Sequence, residues 1–186
     1  LNLLDSGMNV SIGLRNESSS FKMAVDSGLH CTPVNEIVKD CDIISLLIPD
    51  QVMKEVYSEN IEPHLTEGKT LLFSHGYNIH YNLIQPPKFI NVVMAAPSGA
   101  GSELRKQFKI GKGIPGLIAV HQDYSGGSFD IALSYSKAIG LTRMGVFKST
   151  FKEETETDLF GEQIILTGGI PKLIQSAYKV LLEANY

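Results

Sequence analysis

Short apolar stretches recur along this chain and alternate with segments whose composition suits helices. The stretches occupy residues 10–14, 43–48, 70–73, 90–96, 117–120 and 144–147. Residues 43–48 lack the polar alternation of a strand with one wet face, so they favour a parallel strand covered on both sides. Strands that alternate with helices in this way predict a doubly wound α/β fold with a mostly parallel sheet.

The pattern changes near residue 151, where the strand-like stretches give way to helical sequence. Two helices are predicted, at residues 153–166 and 171–184, with a break between them at Gly168 and Gly169. Pro171 suits the first turn of the second helix. We therefore predict a Rossmann-like nucleotide-binding domain over residues 1–150, followed by the start of an all-helical domain over residues 151–186.

The first residues indicate which part of such a fold opens the chain. Residues 1–6 are typical of the tail of a helix ended by Gly7, and the strand that follows would be the second of a βαβ unit. The first strand and its glycine-rich turn, which hold a cofactor pyrophosphate at a helix N-terminus, are then expected to be missing. On this interpretation the sequence is a fragment that is inactive by itself, or a natural remnant with altered function.

Charge and cysteine content narrow the classes of partner and compartment. Acidic and basic residues are interspersed and sum to a net charge of −4, which argues against a nucleic-acid partner and against an anionic membrane surface. The apolar runs are far shorter than the ~20 residues that span a bilayer. Cys31 and Cys41 lack the spacing of a zinc or redox pair, so a reducing compartment, the cytoplasm, is expected.

A polar loop follows the first strand and reads GLRNESSS. In dinucleotide-binding folds an arginine at this point accommodates the 2′-phosphate of NADP, whereas an acid binds the 2′-hydroxyl of NAD. Arg15, Ser18 and Ser20 favour NADPH, while Glu17 would repel a phosphate and keeps NADH possible. The alternative is a serine-rich loop that only caps the next helix.

Three further loops follow predicted strands, at the edge where open α/β sheets bind ligands. Asp50 follows residues 43–48, although it would also suit the cap of the next helix. His75 follows residues 70–73, next to Gly76, and its alternative is a structural histidine. The glycine-rich residues 97–102 can bring backbone N–H groups close to a ligand, but such a loop is not specific by itself.

The segment FKEETETDLFGEQ, residues 151–163, carries the strongest chemical signal. On a helix Glu154, Asp158 and Glu162 project from one face, and such a stripe of like charges destabilises a bare helix. Hard divalent cations such as Mg²⁺ take carboxylate oxygens and would compensate the stripe. Acids that complement the helix dipole explain the first turn equally well, but they do not explain Asp158 and Glu162.

Taken together, GLRNESSS, LLIPDQV, FSHGYNIHY, LIAVHQD and FKEETETDLFGEQ resemble the ketol-acid reductoisomerase family in order and spacing. The resemblance implies Mg²⁺-dependent alkyl migration in 2-acetolactate or 2-aceto-2-hydroxybutyrate, a small acetohydroxy acid, and then reduction by NADPH in branched-chain amino-acid synthesis. It also implies a homo-oligomer. By position it implies 2′-phosphate contacts from Arg15, Ser18 and Ser20, further cofactor contacts from Asp50, Gln51, Val52, Met53 and Gly101, a catalytic His75, and two Mg²⁺ ions held in part by Asp158 and Glu162.

The chain departs from the family pattern at Ser98, where a lysine is common. The later helix that supplies the family's other metal-binding carboxylates is also absent from this sequence. Two other classes of protein therefore stay open at this stage: a domain that keeps the fold without cofactor or metal, and an NADP-linked dehydrogenase of the hydroxyacid type. Only the reductoisomerase requires Mg²⁺.

Overall fold

The computed structural model describes residues 1–14 and 19–186. The strands in these ranges are β1 (Ser11–Gly13), β2 (His30–Thr32), β3 (Ile43–Leu46), β4 (Thr70–Phe73), β5 (Asn91–Pro97), β6 (Gly116–Gln122) and β7 (Val146–Lys148). The α-helices in these ranges are α1 (Asn2–Asp5), α2 (Ser19–Asp26), α3 (Val34–Asp40), α4 (Asp50–Val56), α5 (Tyr77–His80), α6 (Gly101–Lys109), α7 (Ser128–Ile139), α8 (Phe151–Phe160) and α9 (Ile170–Glu183). A π-helical stretch, Gly161–Gly169, joins α8 to α9 and is called the π segment below.

The main sheet has five strands in the order β3-β4-β5-β6-β7, and β1 and β2 form a separate parallel pair. Strands β3, β4 and β5 are parallel, as are β6 and β7, so the predicted mostly parallel Rossmann-like fold is confirmed. Strand β6 runs antiparallel to β5. Pro97 pairs with Gly116, so the chain re-enters the sheet at the end where β5 leaves it.

Helices cover both faces of the sheet, and β4 shows this most clearly. Leu71, Leu72 and Phe73 are all fully buried. Because neighbouring side chains of a strand point to opposite faces, Leu71 and Phe73 join one hydrophobic cluster and Leu72 joins another. This double burial explains why the apolar runs carry no polar alternation.

The helical region after residue 150 differs from its prediction. Helix α8, the π segment and α9 follow one another directly, so the predicted break at Gly168 and Gly169 is wrong. Gly169 has φ −64° and ψ −54°, which are ordinary helical angles, because glycine permits a helix end without enforcing one. In the described ranges no helix is both long and apolar enough to cross a membrane.

Candidate active site

A cavity of about 890 Å³ opens where the parallel strands β3, β4 and β5 end side by side. The loops and helix starts after these strands contribute Asp50, Gln51, Ser74, His75, Tyr77, Pro97, Gly99 and Ala100 to its wall. Helix α8 and the π segment contribute Glu154, Asp158, Leu159, Glu162, Gln163 and Leu166. Since ligands of open α/β sheets bind at this edge, the cavity is the candidate active site.

A buried carboxylate fixes the orientation of His75. The Nδ1 atom of His75 lies 2.8 Å from Oε1 of Glu154, and the backbone N–H of Gly76 donates to Oε2 of the same residue, also at 2.8 Å. Glu154 is only 5% exposed. Its hydrogen bond raises the pKa of His75, against the opposing effect of burial. Because Nδ1 donates to Glu154, Nε2 is the ring atom left to meet a ligand.

Gly76 allows α8 to approach this closely. A β-carbon at position 76 would lie 2.5 Å from Thr155 Oγ1 and 2.6 Å from the carbonyl oxygen of Phe151. Real side chains do not tolerate contacts this short, and one of the two neighbours is backbone. The glycine is therefore required by the packing of α8 against the loop after β4, and its φ of −82° is accessible to any residue.

Asp158 lies beside the hydrogen-bonded pair of His75 and Glu154, and its Oδ2 atom is 3.6 Å from Nδ1 of His75. Ligand atoms of His75, Glu154 and Asp158 all lie within 4.8 Å of one another. Partial burial raises the pKa of Asp158, and the neighbouring carboxylate of Glu162 raises it further. Carboxylates held together against their repulsion suit a hard divalent cation. Because both oxygens of Glu154 already accept hydrogen bonds, Asp158 and Glu162 are the better oxygen donors.

The side-chain amide of Asn78 holds the carboxylate of Asp50 in place. Nδ2 of Asn78 donates to Oδ1 of Asp50 at 2.7 Å, and Asn78 is fully buried. This bond connects the start of α4 to α5. Asn78 was not among the predicted site residues, and Glu154 was predicted only as a member of the acidic stripe, with no role beside His75. A polar residue two positions after Gly76 was the available signal for Asn78, and the one-face spacing with Asp158 was the signal for Glu154.

Only some of the remaining predicted site residues line the cavity. Among described residues the wall includes Gln51 but not Val52, Met53, Gly101 or Ser20. Met53 is buried in the hydrophobic core, Val52 is exposed, Gly101 begins α6 next to the wall residue Ala100, and Ser20 is exposed on α2. Arg15 and Ser18 lie outside the described residues.

Residues 1–145 match the family described as acetohydroxy acid isomeroreductase, NADPH-binding domain. Residues 151–186 match the ketol-acid reductoisomerase C-terminal domain.

The chain belongs to the ketol-acid reductoisomerase family.

Individual ketol-acid reductoisomerases resemble the chain along its whole length. The enzymes named ketol-acid reductoisomerase (NADP(+)) from Methanocaldococcus jannaschii and Sulfurisphaera tokodaii are each 51% identical over 186 residues. The chain covers 56% of each of these relatives, so it spans little more than half of their length. A solved structure of an NADH-preferring ketol-acid reductoisomerase from an uncultured archaeon superimposes with a TM-score of 0.95 at 40% identity. The chain covers 57% of that structure's length.

The bond between His75 and Glu154 predicts a pH-dependent stability. A raised His75 pKa stabilises the fold fully below the ordinary value of 6.5, and this contribution is lost as the pH rises through the folded pKa. We expect Glu154→Gln to lower the free energy of unfolding of the metal-free protein by about 1–2 kcal/mol in mild acid, and by less near pH 9. Urea unfolding at both pH values measures this, with the exposed Glu153→Gln as control. An equal loss at both pH values would contradict the role of the histidine charge.

Proposed function

We propose that the chain supplies the cofactor site and part of the metal site of a ketol-acid reductoisomerase. The reaction is alkyl migration in 2-acetolactate or 2-aceto-2-hydroxybutyrate, followed by reduction to a 2,3-dihydroxy acid. The juxtaposition of His75 with Glu154, Asp158 and Glu162, in one cavity at the carboxyl edge of a nucleotide-binding sheet, carries the proposal.

Asp158 and Glu162 are proposed to hold Mg²⁺, since both line the cavity and repel each other without a cation. When bound, such ions polarise the carbonyl and hydroxyl oxygens of the substrate. Glu154 serves as the acceptor that keeps Nδ1 of His75 protonated, so that Nε2 is presented to the substrate or to a water molecule. Leu159 and Leu166 supply apolar wall next to these charges.

The cofactor is proposed to be NADPH, which the match to an NADPH-binding domain supports. We assign the adenosine 2′-phosphate to Arg15, Ser18 and Ser20. Asp50, Gln51, Val52, Met53 and Gly101 form the second cofactor segment in this proposal. Since the side chain of Met53 is in the core, its contact would come from the backbone.

We also propose a domain division near residue 150. The two family matches, 1–145 and 151–186, support it, as does the end of the last strand at Lys148.

Product analysis tests the function directly. The purified natural protein is incubated with 2-acetolactate and NADPH, with and without Mg²⁺, and the 2,3-dihydroxy acid is quantified by mass spectrometry together with NADPH oxidation. We expect the product only when Mg²⁺ is present. Metal-independent oxidation of NADPH with simple 2-oxo acids would favour a hydroxyacid-type dehydrogenase. A protein that binds neither NADPH nor Mg²⁺ would favour a non-catalytic domain.

The cofactor assignment predicts a selective effect of Arg15→Ala. Loss of one charged hydrogen-bonding partner should weaken NADPH binding by ~1.5–3 kcal/mol and leave NADH binding nearly unchanged. Calorimetric titration with both cofactors measures this, and Lys22→Ala, which removes an exposed cation from nearby α2, is the control. Equal weakening of both cofactors by Arg15→Ala would show that this arginine does not bind the 2′-phosphate.

A further inference from the structure

The side chain of Asn78 holds two parts of Asp50 at once. Its Nδ2 atom donates to Oδ1 of Asp50 at 2.7 Å and to the backbone carbonyl oxygen of the same residue at 3.4 Å. One amide group therefore contacts Asp50 on both sides of its Cα–Cβ bond, which restricts rotation of the carboxylate about that bond. Asp50 begins α4 and Asn78 lies in α5, so this orientation depends on the packing of the two helices.

The oxygen of this amide has no hydrogen-bond partner. Asn78 is fully buried, and none of the residues that the structure describes donates to its Oδ1 atom. An unpartnered buried oxygen costs free energy comparable to what a hydrogen bond to a carboxylate contributes, so the amide adds little net stability. A flipped amide would place its oxygen against the Asp50 carboxylate, where two acceptors repel each other. The bond to Asp50 therefore needs an explanation other than stability.

Asp50 keeps one carboxylate oxygen free at the cavity wall. Oδ1 accepts from Asn78, whereas Oδ2 accepts no hydrogen bond within the described ranges. A carboxylate repels the phosphates of a dinucleotide, but in dinucleotide-binding folds it binds ribose hydroxyls. Asp50 shares the cavity with His75 and Asp158, where the reacting carbon of the substrate must meet the nicotinamide. The ribose that Asp50 can meet is therefore the one that carries the nicotinamide.

We propose that Asn78 is a positioning residue for the cofactor. It holds Oδ1 of Asp50 so that Oδ2 accepts a hydrogen bond from a hydroxyl of the nicotinamide ribose, and it acts on the cofactor only through Asp50. The inference rests on the cofactor site of the proposed function. Because NADPH and NADH share the nicotinamide half, Asn78 should contribute equally to the binding of both, unlike Arg15.

A double-mutant cycle in the natural protein tests this, with the affinities for NADPH and NADH measured by calorimetric titration. Asn78→Leu keeps a side chain of similar size but removes the donor, and we expect it to weaken both cofactors on the order of tenfold. Asp50→Ala should weaken both at least as much. In the Asp50→Ala background, Asn78→Leu should add less than about twofold, because residues that act as a unit are not additive. Ile79→Val, a small change in the core beside Asn78, is the control and should leave both affinities unchanged.

The other results contradict the inference at separate points. Unchanged affinities in Asn78→Leu would overturn it and leave the proposed function standing. Equal losses with and without the Asp50 carboxylate would show that Asn78 does not act through Asp50. A loss confined to NADPH would contradict the assignment to the nicotinamide ribose. A parent protein that binds neither cofactor would overturn the proposed function and the inference with it. If Asn78→Leu does not fold, Asn78→Ser, whose hydroxyl is shorter than the amide, takes its place in the same cycle with the same expected results.

Discussion

Asp158→Asn is expected to lower the proposed turnover of 2-acetolactate by about a thousandfold or more in the natural protein. An amide offers one neutral acceptor oxygen where the carboxylate offers two that share a negative charge, and metal-assisted stabilisation of the transition state is worth several kcal/mol. Each 1.36 kcal/mol of lost stabilisation is about tenfold in rate. Reduction of the already isomerised 3-hydroxy-2-oxo acid should fall as well, but by less.

The same substitution should leave the metal-free fold intact or slightly more stable. Burial and the charge of Glu162 both disfavour the ionised form of Asp158, so its neutral replacement relieves an unfavourable interaction. Turnover and urea unfolding are therefore measured on the same preparation. Glu156→Gln is the control, because Glu156 is exposed and contacts His80 away from the cavity wall. Normal Mg²⁺ affinity and normal turnover in the Asp158→Asn protein would contradict the metal assignment.

Gly76→Ala is expected to destabilise the fold and to separate α8 from the loop after β4. The added methyl group would overlap Thr155 Oγ1 and the carbonyl oxygen of Phe151, and overpacking of this kind costs about 1–3 kcal/mol. The displaced helix would also lose the bonds from Glu154 to His75 and to the Gly76 N–H. Urea unfolding gives the stability, and the NMR signal of the Gly76 amide reports its hydrogen bond.

Gly127→Ala is the matched control, since its β-carbon would meet only Ser125 Oγ at 3.8 Å and its φ is −123°. Unchanged stability of Gly76→Ala, with the amide bond retained, would show that α8 does not depend on a glycine at this position.

The parts of the fold that the sequence predicts well are those where burial alone determines the pattern. Strand β4 was predicted at residues 70–73 and spans Thr70–Phe73, because a strand covered on both faces is a continuous apolar run. Strand β2 was not predicted, since His-Cys-Thr is too short and too polar to show a period. The direction of β6 could not be predicted either, because hydrophobic periodicity carries no information about strand polarity.

At the site, the sequence indicated the carboxylate stripe and His75 but not what connects them. Glu154 is in the first turn of α8, where an acid is also explained by the helix dipole. Its burial against Gly76 depends on two segments that are 78 residues apart in the chain. The break predicted at Gly168 and Gly169 was wrong because composition does not distinguish a glycine that ends a helix from one that fits a wider helix.

The contact between Glu154 and the loop after β4 bears on how enzymes of this family can be recombined. The two family matches meet between residues 145 and 151, which makes residue 150 the obvious crossover point for a chimera of two homologues. A crossover there would take His75 and Gly76 from one parent, and Glu154 and Thr155 from the other. The segment that should be taken from one parent is therefore the nucleotide-binding domain together with all of α8. A crossover after Phe160 keeps both sides of this contact from the same parent enzyme.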